Sequence, residues 1–258
     1  MGGHSWIGVR RRVLPLGPCA ENIGPFTAAD CHSATAILAW FKADAGIGVT
    51  DGQGIPTWAD QSGNGRHATR ATAGEQPIYS TSIAGGGPAV RFTTASKGLD
   101  ITGLSVVRSS YTFYMLQRLT PNQNTFGTSL SAQSVAGGFE IQPDDSPDDT
   151  LDFFISGTVF AVGLAATCGW QVITLVADSG AGKATMYKNG AQVQQINYTT
   201  DGSTDASWVL GAPHLGSSGL IFDLAEVMLY NAAHSGATVA ANATCLRNRA
   251  NLQAGQGV

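Results

Sequence analysis

Ala184-Thr185-Met186-Tyr187-Lys188-Asn189-Gly190-Ala191-Gln192-Val193-Gln194-Gln195-Ile196 is the stretch that decides the architecture. Asn-Gly suits a type I′ turn, in which both central residues take positive φ and the twist matches that of paired strands. Its flanks therefore read as the arms of an antiparallel hairpin. Leu220–Tyr230 alternates as a long late strand, with Leu224, Glu226, Met228 and Tyr230 expected on one face. Asp223, Ala225, Val227 and Leu229 are expected on the other. Ile37–Phe41, Pro88–Phe92, Tyr111–Leu119, Phe139–Gln142, Leu151–Ile155 and Trp170–Ala177 read as further short strands between turn-rich stretches. After Ser235, an N-cap, Val239, Ala243, Leu246 and Ala250 recur at helical spacing and predict one short terminal helix. Many short strands with a single helix predict an all-β domain of two packed antiparallel sheets.

Composition agrees. The chain has 258 residues, 43% of them hydrophobic, enough for a sizeable core. Charged residues make up only 12%, and glycine reaches 33 residues, which disfavours a helical bundle and suits strands joined by tight turns. The net charge of −4 gives no electrostatic footprint for nucleic acid, so none is expected as a partner. No apolar run approaches the ~18 residues of a membrane span, and membrane insertion is not expected.

Residues 1–33 differ from the rest and are assigned as an extended N-terminal arm, with the sandwich over 34–258. The start is a poor export signal, because its apolar part is short, broken by Pro15 and Pro18, and preceded by basic residues. Trp6 stands where myristoylation needs Ser or Thr, so a lipid signal is not expected either. Such an arm has no core of its own and is ordered only against its own domain or a neighbour. The expectation favours a neighbour: Trp6, Ile7, Val9, Val13 and Leu14 bury against a partner surface, and Arg10, Arg11 and Arg12 meet carboxylates at its rim. Cys19 and Cys31 share this region and are candidates to bridge each other, with Cys168 and Cys245 read as buried thiols.

Three stretches invite chemistry. Asp60-Gln61-Ser62-Gly63-Asn64-Gly65 places oxygen-bearing side chains at alternate positions, like the start of a calcium loop. Asp60, Ser62 and Asn64 are therefore candidate Ca²⁺ ligands; the same residue types also organise a turn by bonding its backbone. Pro143–Asp149 gathers four acids, for solvation, Ca²⁺ or a basic partner. Asp178–Ala184 imitates a phosphate loop but has Ala177 and Ala184 where Gly and Ser or Thr are required, so it reads as an inter-strand loop.

Leu38-Ala39-Trp40-Phe41-Lys42-Ala43-Asp44, Trp58–Thr69 and Gly87-Pro88-Ala89-Val90-Arg91-Phe92 together resemble the laminin-G-like branch of the concanavalin A-like lectin/glucanase superfamily. Met186–Gly190 is similar to that family's central hairpin, and Leu224–Asn231 to its last strand. The resemblance covers about residues 35–250. It implies a curved jelly-roll sandwich whose loops often bind glycans and sometimes Ca²⁺. Such modules are common in tailed-phage virion proteins and in bacterial secreted proteins. The family's hydrolases carry Glu-x-Asp-x-x-Glu, two of whose carboxylates flank the scissile bond. Here Ile221 replaces the first Glu of that motif, and Asp223 and Glu226 are expected on opposite faces. The functional expectation is a non-enzymatic virion surface protein, a capsid decoration, spike or tail component. It would display a glycan-binding sandwich to a host surface, be anchored by its arm to capsid or tail proteins, and be compatible with homo-oligomers. The alternatives are a secreted or cell-surface bacterial carbohydrate-binding module and, more weakly, a glycan hydrolase.

Overall fold

The structure, a computed structural model, describes residues 31, 35–83, 87–93, 98–119, 129–132, 139–143, 150–155, 158–165, 169–200, 202–211 and 221–249. In chain order the strands are β1 (Ile37–Lys42), β2 (Thr57–Trp58), β3 (Ala68–Thr69), β4 (Ile78–Ser80), β5 (Ala89–Phe92), β6 (Leu99–Val107), β7 (Ser110–Leu119) and β8 (Leu130–Ala132). They continue as β9 (Phe139–Pro143), β10 (Thr150–Ile155), β11 (Thr158–Ala165), β12 (Trp170–Asp178), β13 (Lys183–Lys188), β14 (Ala191–Asn197), β15 (Thr204–Leu210) and β16 (Phe222–Tyr230). One helix, α1 (Gly236–Arg249), closes the described chain. The first sheet runs β14-β13-β12-β7-β16-β5-β4, with β1 also pairing β16. The second runs β11-β10-β9-β8-β15-β6-β3-β2. Every pairing in both is antiparallel, as the sequence predicts.

The hairpin that anchors the sequence argument is present as β13–β14. Asn189 and Gly190 take φ of 53° and 85°. The Asn189 side chain also accepts the Val172 N–H at 2.9 Å, which locks the turn to β12. Helix α1 begins where Ser235 caps it: Ser235 Oγ accepts the Thr238 N–H at 3.2 Å. Val239, Ala243 and Leu246 are buried, so the helical spacing read from sequence is the packed face.

Two apolar layers follow from the strand alternation. Between the sheets lie Phe41, Trp58, Phe92, Phe113, Trp208 and Phe222 among aliphatic residues. A second cluster, with Trp40, Tyr114, Trp170, Met228 and Tyr230, lies on the outer face of the first sheet, partly beneath α1. Trp40, Trp58, Trp170 and Trp208 are thus packing residues, which accounts for four of the five tryptophans.

Two expectations are corrected. Cys31 pairs with Cys245, not Cys19, in a disulfide that spans 214 residues of sequence and fastens the segment before β1 to α1. Sequence proximity suggested the nearer partner; the fold brings the two ends of the domain together instead. The alternation of β16 also breaks. A register shift lies between Leu224 and Glu226, so Ala225 is an extra residue against β7. Leu224, Val227 and Leu229 point between the sheets, whereas Ala225, Met228 and Tyr230 belong to the outer cluster. The bulge is what shifts the phase.

His234 joins β16 to α1. Its ring lies 4.4 Å from the Tyr230 ring and 5.7 Å from that of Tyr114, with Nδ1 2.8 Å from the Tyr114 hydroxyl. Burial pushes its pKa below the ordinary imidazole value. The unfolded chain therefore takes up the proton first as pH falls, and the contribution to stability, complete above about pH 6.5, is lost toward the folded pKa. Urea unfolding at pH 7.5 and 5.5 is expected to show this loss in the wild type. A smaller loss is expected in His234→Phe; an equal loss would assign the effect to other groups.

Candidate functional site

Asp223 receives Arg91 Nε at 2.7 Å and Arg118 Nη2 at 2.5 Å, so β5, β7 and β16 meet at one carboxyl group. Glu226 Oε1 accepts the Trp40 indole N–H at 2.7 Å. Because Trp40 belongs to the outer cluster and the bulge resets the phase, Glu226 shares the outer face with Ala225. The odd spacing of Asp223 and Glu226 therefore does not separate them as a regular strand would. Both are enclosed, with 5% and 2% exposure. Arg118 also lies over the Trp170 ring, at 5.6 Å from its centroid.

Asp60, Ser62 and Asn64 are brought together, and their polar atoms face protein donors. Asp60 Oδ1 accepts the N–H groups of Trp40 and Ser62, both at 2.9 Å. Its Oδ2 accepts the Ser62 hydroxyl at 2.7 Å and the Arg66 N–H at 3.1 Å. Asn64 presents its amide nitrogen to the Ile37 carbonyl at 2.9 Å, not its oxygen to the cluster centre. This is the chemistry of a turn clamped onto β1, and a cation here would have to displace four donors. No group of three His, Cys, Asp or Glu side chains among the described residues is placed to hold a metal. Asp178–Ala184 forms the β12–β13 turn, in which Asp178 accepts the Ala181 N–H at 3.0 Å. Trp6, Ile7, Val9, Arg10, Arg11, Arg12, Val13 and Leu14 lie outside the described residues, as do Cys19, Cys168 and Asp144–Asp149.

Sequence reasoning missed an open groove on the outer face of the second sheet. It measures about 560 Å³ and runs along β6 beside β15. Gly103, with φ of 69°, and Thr102 both face outward between the inward Ile101 and Leu104. This irregularity matches the break in register against β15 and opens the sheet surface. Gly103 and Ala206 are exposed on its floor and Val209 is buried beside them; Asp100, Thr102 and Ser105 supply polar groups. Arg70 stands at the rim, 3.4 Å from Asp100 Oδ2 and fixed through Nε to the Gly98 carbonyl at 2.9 Å. A carboxylate and a guanidinium beside hydroxyls and exposed backbone can bind a polyhydroxylated ligand by paired acceptance and donation.

A family model described as concanavalin A-like lectin/glucanases superfamily, of laminin G type, matches residues 93–240. The chain belongs to that superfamily. Among solved structures it is similar to the binding domain of Paraclostridial Mosquitocidal Protein 1, at 12% identity and a TM-score of 0.59, over 83% of this chain and 53% of that one. It is also similar to the botulinum neurotoxin serotype D ligand binding domain in complex with N-acetylneuraminic acid, at 10% identity and a TM-score of 0.58, over 82% and 51%. A third is domain 4 of AbnA, an extracellular GH43 arabinanase from Geobacillus stearothermophilus, in complex with arabinotriose, at 15% identity and a TM-score of 0.55, over 80% and 98%. The chain spans about half the length of the first two. Likeness at these identities establishes a shared fold. No curated protein matches the chain by sequence.

Proposed function

We propose that this chain is a non-enzymatic carbohydrate-binding sandwich displayed on an outer surface, with the β6–β15 groove as its glycan site. The observation that carries the reading is the groove itself, with Gly103 and Ala206 exposed on its floor and an Asp100–Arg70 pair at its edge. Two of the similar structures hold sugars, N-acetylneuraminic acid in one and arabinotriose in the other, which supports the ligand class. A hydrolase fits less well, because Asp223 is engaged by two arginines, Glu226 by Trp40, and both are shut off from solvent.

Display on a tailed-phage virion is the finer reading and rests on the family resemblance. Export to a bacterial surface or medium is the second, and the Cys31–Cys245 disulfide favours it, since such bonds form and persist in oxidising compartments. Ala206 is exposed, so Ala206→Trp fills the groove without entering the core. On a glycan array and by calorimetry, this variant is expected to lose at least about tenfold in affinity for any bound glycan, with an unchanged melting temperature. Binding by both proteins alike would move the site elsewhere; binding by neither, even on clustered display, would sink the lectin reading.

A further inference from the structure

We infer that the β6–β15 groove takes neutral glycans and turns away acidic ones, an assignment of ligand class that rests on the groove being the glycan site. Among the described residues that line it, Asp100 alone is charged. Its side chain is 53% exposed, so the carboxylate faces an incoming ligand. The counter-charge is Arg70, and it is shared: Nη1 lies 3.4 Å from Asp100 Oδ2 and 3.5 Å from Glu75 Oε2. One guanidinium between two carboxylates leaves a negative charge uncompensated at this rim. Just past the other end of β6, Arg108 meets Asp205 at 2.8 Å with both side chains buried, so its charge is already matched.

The donors are arranged to the same effect. A guanidinium recognises a carboxylate through two parallel N–H groups along one edge. Arg70 has neither edge free for that, because Nε donates to the Gly98 carbonyl at 2.9 Å and Nη1 is held between the two carboxylates. A sugar hydroxyl needs only one N–H, so what remains of the fork still serves a neutral ligand. Thr102 gives its hydroxyl proton to the His67 carbonyl at 3.1 Å. Toward the groove it therefore presents lone pairs, as Asp100 does. This surface asks for hydroxyl donors. A carboxylate on the ligand offers acceptors only, so an acidic sugar meets both like charge and unpaired acceptors, which is how a site rejects a near relative of its ligand.

The test is titration of the full-length chain with matched glycans from an array, each with and without a terminal N-acetylneuraminic acid. It is run at about 10 mM and about 1 M salt, where charges are felt over ~30 Å and ~3 Å. A like charge a few ångströms away in water weakens binding about fivefold. At low salt the neutral member of each pair is expected to bind at least about fivefold tighter, and at high salt the preference should fade. Asp100→Asn, an exposed and nearly isosteric change, should raise the acidic-to-neutral affinity ratio about fivefold at low salt, with an unchanged melting temperature. Acidic glycans that bind as tightly as neutral ones, and lose that binding in Ala206→Trp, would overturn the selectivity and leave the groove as the site. A neutral preference that neither salt nor Asp100→Asn alters would overturn it too, and assign the choice to shape. Binding that Ala206→Trp leaves intact, or no binding of either member by the wild type, would remove the groove reading and this inference with it.

Discussion

Replacing Cys31 and Cys245 together with alanine is expected to lower stability by roughly 5 kcal/mol. The two residues are 214 apart in sequence, so the bond closes nearly the whole domain into one loop. In the chain-entropy account a loop of that length restrains the unfolded ensemble by about that much, more than the ~3 kcal/mol of a 15-residue loop. For a chain of this size the melting temperature should fall by ~10–20 °C. Reductant should reproduce at least that loss in the wild type. If the wild type melts alike with and without reductant, either the bond does not form in solution or the entropic account fails; free-thiol titration of the unfolded wild type separates these. The bond also locates its effect. It fastens α1 to the segment before β1, so the outer cluster should loosen before the layer between the sheets, as amide exchange of Val239–Leu246 would show.

What could be read from sequence follows from where the chain is regular. Tyr111–Leu119 and Trp170–Ala177 are predominantly apolar runs buried on both faces, and β7 and β12 appear within a residue of those limits. Ser235, Asn189 and Gly190 carry their own local chemistry, so the cap and the turn were legible residue by residue. β6 was not, because Thr102 and Gly103 face the same way and the phase of Leu99–Val107 changes midway. The same interruption opens the groove, so the feature that hides the strand also makes the site. In β16 a bulge defeats parity, and Asp223 and Glu226 cannot be assigned to faces by counting. The disulfide was illegible for a different reason: which cysteines meet depends on the closing of the whole sandwich, which local spacing does not encode.

Asp223→Ala is expected to destabilise the fold by about 3–5 kcal/mol, because it strands a buried cation. The Arg118 side chain is 11% exposed and its guanidinium faces the Asp223 carboxylate. Removing the carboxylate leaves that charge with little water to replace it. Arg91, the other partner, is 42% exposed, so Arg91→Ala should cost only ~0–1 kcal/mol. The paired replacement Asp223→Leu/Arg118→Met removes both charges and should recover most of the loss, since exchanging a buried ion pair for apolar residues of similar size is often neutral. Urea unfolding of the four proteins forms the test. If Asp223→Ala is as stable as the wild type, the cluster does not order the three strands it joins. Glu226→Gln separates a structural from a catalytic carboxylate. A carboxamide oxygen can still accept the Trp40 indole N–H, so a structural Glu226 should tolerate the change with a loss of about 1 kcal/mol or less. A catalytic Glu226 would instead leave a stable protein stripped of turnover. Polysaccharide hydrolysis by the wild type that Glu226→Gln abolishes would overturn the lectin reading at this strand. Glycan binding retained by Glu226→Gln and lost by Ala206→Trp would place the chemistry of this sandwich on its other sheet.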